Sequence, residues 1–182
     1  MTVAARMFAE EGYEAVSTKR LALACGLTIG ALYHHFDSKE SLYRAVVSDA
    51  FEGLPEAPLD LFDDDSDAEA QLRRLIAWFS RTIAGDDVGA ALFRHELLEP
   101  RLSGSLGDLQ AFARPLARFR DLMERLAPQT ESAFAEAAII ALSFGLSKLD
   151  GMRRVVGDDR IPSEPDEIAD RVARLVLRGL SI

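Results

Sequence analysis

The sequence predicts an all-α protein of about nine helices, and three observations carry that prediction. Apolar residues recur at helical spacing along most of the chain, most clearly at Leu72, Leu75, Ile76, Phe79 and Ile83. These runs are punctuated by capping Ser, Thr or Asp residues at one end and by Gly or Pro at the other. No stretch shows the alternation and β-branched enrichment of a strand. The chain has 182 residues, 48% hydrophobic and 28% charged, which is enough for one or two domains with a real core.

The elements follow in order. A short helix is expected over Val3–Glu11, with Val3, Ala4, Met7 and Phe8 on one face and Gly12 as its stop. Ser17 caps a second helix, Thr18–Cys25, with Leu21 and Ala24 inward. Gly26 supplies the positive φ of a tight turn. Thr28 opens a third helix, Ile29–Phe36, with Leu32 and Phe36 as core positions. Asp37 and Ser38 then break the chain and cap a fourth, Lys39 to about Phe51, whose inward stripe is Leu42, Ala45 and Val46. Two short helices about a glycine turn, supported by a longer one, make a helix-turn-helix.

Residues 53–66 hold two prolines, a glycine and an acidic cluster, and read as a linker. The division expected is therefore residues 1–51 and residues 52–182. Beyond the linker come Asp67–Ala84, then Val88–Glu99 behind a Gly85-Asp86-Asp87 cap and before Pro100. A helix from Asp108 to about Leu126 follows, with a kink at Pro115. The longest and most apolar helix runs from Glu131 to about Val156. The last runs from Pro165, placed at its first helical position, to about Leu180.

Net charge is −9, which by itself does not advertise nucleic-acid binding. The distribution matters more. Residues 1–51 carry five Lys/Arg against six Asp/Glu, and the remainder sixteen against twenty-four. The acid sits mostly outside the helix-turn-helix. A lone cysteine, Cys25, allows no intrachain disulfide and reads as a small packed residue. With no signal-peptide pattern and no uninterrupted apolar run of ~18 residues, the expectation is a cytoplasmic protein.

The stretch AARMFAEEGYEAVSTKRLALACGLTIGALYHHFDSKESLYRAVV resembles the DNA-binding domain of TetR-family repressors. The likeness lies in the Phe–Glu–Gly–Tyr end of the first helix, Leu-Ala…Cys-Gly-Leu in the second, Gly-Ala-Leu-Tyr-His-His-Phe in the third and Ser-Lys-Glu-Ser-Leu opening the fourth. It covers about the first fifty residues. The stretch FRHELLEPRLS is similar to that of a CecR-like C-terminal subgroup. Family members usually begin several residues earlier, often with basic residues, so either the first helix is a short brace or the sequence starts downstream of the true beginning. Val16 stands where a threonine is common.

The second helix of such a motif enters the major groove while the first crosses the backbone. Gly30 and Ala31 are small and let the helix approach the bases, and Ile29 or Ala31 can meet a thymine methyl. Tyr33, His34 and Thr28 can reach phosphate oxygens, as the resemblance implies for similar positions, with His35 alongside. Lys39, at a helix N-terminus, adds charge beside backbone amides, and Ser17, Thr18 and Lys19 offer the same at the second helix. His34 and His35 are adjacent and do not share a helix face, so no metal pair is assigned.

One helix-turn-helix reads only a few base pairs, so a homodimer on a palindromic operator is expected. Its interface is assigned to Ala137, Ala141, Phe144, Gly145 and Leu149 on one helix and Ile168, Val172, Leu175 and Val176 on the last, as a four-helix bundle. An effector pocket is assigned to Trp78, Phe79, Phe93, His95, Phe112, Phe119, Met123 and Phe144, with Arg94, Glu96 and Glu99 as further polar groups. The resemblance implies a ligand-responsive transcriptional regulator, a repressor of the helix-turn-helix kind. A linked helical ligand-binding and dimerisation domain would release the DNA when a small-molecule effector binds. No cofactor and no metal are expected. A helical-bundle enzyme is the first alternative, but HELLE at His95–Glu99 lacks the second histidine of HExxH, and there is no Glu-x-x-His pair or phosphate loop. A DNA-free helical adaptor is the second.

Overall fold

The computed structural model describes residues 1–54, 56–62, 67–85, 87–101, 110–128, 132–147, 157 and 164–179. Among them the regular structure is nine α-helices and one 3-10 turn, with no strand. The chain forms two compact units. One joins Met1–Leu54 to Gly85–Ser105, and the other joins Pro55–Ala84 to Leu106–Ile182. The sequence places a single boundary at residues 51–52. The fold departs from that division because the helix at residues 88–98 packs with the N-terminal helices rather than with its neighbours in sequence.

The first unit holds α1 (Thr2–Ala15), α2 (Thr18–Ala24), α3 (Ile29–His35), α4 (Lys39–Glu52) and α6 (Val88–Leu98). Helix α1 does not end at Gly12. It breaks there, at φ 79° and ψ 166°, and helical residues resume to Ala15. Its buried face is Ala4, Ala5 and Phe8, while Val3 is exposed. In α2 the inward pair is Leu21 and Ala22, not Ala24, because a seven-residue helix turns only two positions toward α1 and α3. In α4 the buried set is Leu42, Tyr43, Val46, Val47 and Phe51. Ala45 is only half-buried, because Tyr43 and Val47 turn toward α1 and α6 instead.

Helices this short are marginal alone, since nucleation is costly below roughly 12–15 residues. Caps and packing compensate. Ser17 Oγ accepts from the Arg20 N–H at 3.2 Å, and Thr28 Oγ1 from the Ala31 N–H at 3.1 Å. Ser38 and Ser41 exchange side-chain and backbone hydrogen bonds, both 3.0 Å, in a capping box. Gly26, at φ 70°, makes the turn between α2 and α3 in a conformation that a side chain would strain. Asp87 caps α6, and Gly89 lets that helix approach α4 closely. A Cβ there would stand 2.9 Å from the Ala50 carbonyl oxygen.

The second unit holds a 3-10 turn (Leu59–Phe62), α5 (Ala68–Ala84), α7 (Gln110–Leu126), α8 (Ser132–Ser147) and α9 (Pro165–Gly179). Helix α5 is central and packs against α7, α8 and α9. Its expected stripe of Leu72, Leu75, Ile76, Phe79 and Ile83 is buried. Helix α7 runs through Pro115 as one element. The buried face of α9 is Ile168, Ala169, Val172 and Ala173. Ion pairs tie α9 to α5: Arg81 Nε to Asp166 at 2.6 Å and Arg73 to Asp170 at 3.5 Å. No described helix is long and apolar enough to cross a membrane.

Candidate nucleic-acid interface and effector cavity

Helix α3 turns Leu32 inward and leaves Ile29, Gly30, Tyr33, His34 and His35 exposed, with Ala31 half-buried. An i, i+4 partner for Leu32 comes from Phe36, which leaves the helix in extended conformation and is half-buried. Ile29 is 43% exposed and Tyr33 46%. The Tyr33 hydroxyl donates to Thr18 Oγ1 at 3.4 Å, which brings one α2 and one α3 candidate together. Ser17 and Lys19 are exposed beside them. The His34 and His35 rings lie 5.5 Å apart, edge to face, and among the described residues no metal-ligating cluster forms.

Two cations in this region have structural partners. Arg20 makes a paired contact with Glu11 at 2.7 and 2.9 Å, bracing α2 on α1, and this holds the Glu11 carboxyl below the usual glutamate range. Lys39 rests its ammonium 4.1 Å from the Tyr13 ring centroid. Tyr13 in turn packs against Phe8 and Tyr43, at 6.1 and 5.0 Å between centroids. Partial burial, with Glu40 and Glu14 nearby, raises the Tyr13 phenol above its ordinary value.

Behind this surface lies a polar bond that sequence patterning did not reveal. The buried Tyr43 hydroxyl donates to Glu96 Oε1 at 2.7 Å, and Glu96 Oε2 accepts from the Arg101 N–H at 3.0 Å. Burial, then the bond to Glu96, pushes the Tyr43 phenol far above its ordinary value. His95 Nε2 lies 3.1 Å from the Ala9 carbonyl oxygen, and Arg94 donates to the Gly85 carbonyl at 2.7 Å. Phe93 and His95, assigned from the sequence to an effector pocket, do not line the cavity of the second unit between α5, α7 and α8. Both belong to the first unit, where Phe93 packs edge-on to Phe51 at 5.7 Å. Helical spacing told which faces of α6 are buried, not which helices they meet.

In the second unit a small cavity of about 30 Å³ lies between α5, α7 and α8. Trp78, Phe79, Phe112 and Phe119 line it, together with Leu75, Ile76, Pro115, Leu116, Ile139, Ile140 and Glu136. Met123 is buried elsewhere in that core and Phe144 is half-buried, neither on the lining. Among the described lining residues Glu136 is the charged one, and Arg120 Nε approaches it at 3.2 Å. Its signal was present in the sequence, as a lone acid inside the most apolar run. Its volume is far below the ~300–1,000 Å³ typical of ligand pockets.

The dimer assignments divide. Ala137, Ala141 and Gly145 are exposed along α8, beside Phe134 at 72% exposure, and Phe144 is half-buried. On α9 the assignment of Ile168 and Val172 is corrected. Both are buried in the unit's own core, because α9 turns that face to α5 and α8. Leu175 is 62% exposed and Val176 half-buried. Leu149 lies outside the described residues.

Fold and surface together define an all-α protein with an N-terminal helix-turn-helix and a helical C-terminal domain. Residues 1–46 match the model of bacterial regulatory proteins, tetR family. The repressor KstR2 of Rhodococcus jostii (strain RHA1) is 30% identical over 97 residues, 53% of this chain and 48% of that one. The chain thus spans about half the length, or less, of the curated relatives it matches. Among solved structures, the TetR-family regulator PfmR of Thermus thermophilus covers 97% of this chain and 95% of its own, at 26% identity and a TM-score of 0.61. AibR, solved with isovaleryl coenzyme A and operator DNA, shares the fold at 22% identity and a TM-score of 0.61, over 95% and 93% of the two chains. Residues 1–46 thus carry the match to the tetR family of bacterial regulatory proteins, and the chain as a whole shares the fold of solved TetR-family regulators.

Proposed function

We propose that the chain is a ligand-responsive transcriptional repressor that binds a palindromic operator as a homodimer and leaves it when a small molecule binds. The observation that carries this reading is the exposed face of α3. Ile29, Gly30, Tyr33, His34 and His35 stand outward on a helix capped by Thr28 and seated by Leu32. A small and aromatic face of that kind suits close approach to base edges, with hydroxyl and imidazole groups at the phosphates. Lys39, at the capped N-terminus of α4, adds a backbone contact. KstR2, named a transcriptional repressor, supports the same direction of control.

The aromatic cavity of the second unit is the proposed effector site, and its small volume suits a ligand that shifts the helices as it enters. AibR, which holds an acyl coenzyme A together with DNA on the same fold, is in keeping with that pairing. For the homodimer, the exposed small residues Ala137, Ala141 and Gly145 of α8, with Leu175 of α9, are the proposed contact surface.

Selection of duplexes from a genomic library at moderate salt tests the reading. Enrichment of a palindromic sequence is expected. Lys39→Ala should then weaken binding to every sequence alike and lower the salt slope by ~0.9, one phosphate contact, while substitutions of Ala31 should change base preference. Retention of no particular sequence by the wild type would overturn the proposal.

A further inference from the structure

Arg101 stands outside the helix-turn-helix, past the Pro100 that follows α6, yet its contacts lead back to the opening helices. Its backbone N–H donates to Glu96 Oε2 at 3.0 Å. Its guanidinium donates to Glu14 Oε1 at 2.5 Å and lies 3.8 Å from Glu99. The same guanidinium sits 5.0 Å from the centroid of the Tyr13 ring, and the Lys39 ammonium sits 4.1 Å from that same centroid. Tyr43 meets the Tyr13 ring at 5.0 Å and donates its hydroxyl to the other oxygen of Glu96 at 2.7 Å. The contacts close a loop. Glu96 holds Arg101 by its amide and Tyr43 by its phenol, and both bear on the ring that carries Lys39.

We infer that Glu96 and Arg101 are positioning residues for the DNA-backbone contact of Lys39, so that the DNA-reading module extends to the end of α6. The inference rests on the DNA-binding reading above. A lysine has a long flexible stem and loses rotamer freedom whenever its ammonium is fixed on a phosphate. An aromatic platform beneath it removes part of that loss in advance. Tyr13 serves as the platform only while its ring stays in place, and Arg101 and Tyr43 fix it from the α6 side and the α4 side. Glu14 and Glu99 neutralise the guanidinium, so it can lie by the ring without driving the Lys39 ammonium away. Arg101 in this arrangement is committed to carboxylates and acts through Lys39.

The test uses the full chain and the tightest duplex it selects from a random-sequence library. Dissociation constants are measured across a salt series for wild type, Lys39→Ala, Arg101→Ala and the double variant, with thermal unfolding as a fold check. Arg101→Ala is expected to weaken binding about two- to fivefold, the worth of one exposed cation–π platform. In the Lys39→Ala background it is expected to weaken binding no further. Tyr13→Phe, which keeps the ring, should bind as wild type, and Tyr13→Leu should behave like Arg101→Ala. Arg101→Met, which keeps the stem, replaces the alanine variant if that variant does not fold. Additive losses in the double variant, or wild-type affinity and salt slope for the single one, would overturn the inference while leaving the DNA-binding reading intact. A wild-type chain that selects no duplex overturns both.

Discussion

The two units bury apolar faces in the same way but fix their side chains differently. The first is built from helices of 7 to 14 residues, and its two seven-residue helices each carry a side-chain cap. Its core contains a directed bond, phenol to carboxylate, between α4 and α6. The second is built from helices of 15 to 17 residues that meet through wide apolar stripes, with ion pairs such as Arg81 to Asp166 between them. Its described inward polar contacts include Ser80 donating to Ser143 at 3.2 Å, a neutral bond, and Arg118 donating to Gln71 at 2.9 Å. A surface that must hold single side chains at fixed positions gains from the first arrangement.

The contrast can be broken at several points. Phe8→Ala removes the ring around which α1, Tyr13 and Tyr43 pack, and should cost about 3–5 kcal/mol in urea unfolding followed by circular dichroism. A loss below about 1 kcal/mol would mean that the first unit has no tight aromatic core. Tyr43→Phe should cost ~1.5–3 kcal/mol, since it deprives a buried carboxylate of a donor, whereas Ser80→Ala should cost only about 1 kcal/mol for a neutral bond. Equal losses would erase the distinction drawn between the two cores. The smallest effect concerns Glu11 and Arg20, both on the surface. Because Arg20 holds the folded-state pKa of Glu11 below its unfolded value, the pair stabilises fully above the ordinary glutamate range. That contribution is lost as pH falls through the lowered value. Arg20→Ala should flatten this part of the acid-unfolding curve, and an unchanged curve would show the pair to be thermodynamically silent.

Legibility followed the same contrast. Ser17, Gly26, Thr28, Ser38 and Asp87 act locally, through a cap or a turn, and each stands in the structure where the sequence put it. The outward face of α3 was readable because one position, Leu32, had to turn inward. Periodicity also identified the buried stripe of α5 and four aromatic residues of the cavity. It did not identify Tyr13 as the seat of Lys39, nor the bond from Tyr43 to Glu96. Those pairings join residues 26 and 53 positions apart, and no local pattern encodes them.

The sequence by itself determined the helices, several of their caps, the helix-turn-helix and the face it leaves exposed, because caps, turns and amphipathic spacing act within a few residues. Only the tertiary structure decided that α6 joins the N-terminal unit and takes Phe93, His95 and Glu96 with it. Likewise, only packing decided that Ile168 and Val172 serve their own core rather than a partner's. An apolar stripe specifies that a helix must be covered, and the hydrophobic effect that covers it has no direction. The partner is chosen by shape and by the few polar groups that must be satisfied, and those conditions exist only once the helices are assembled.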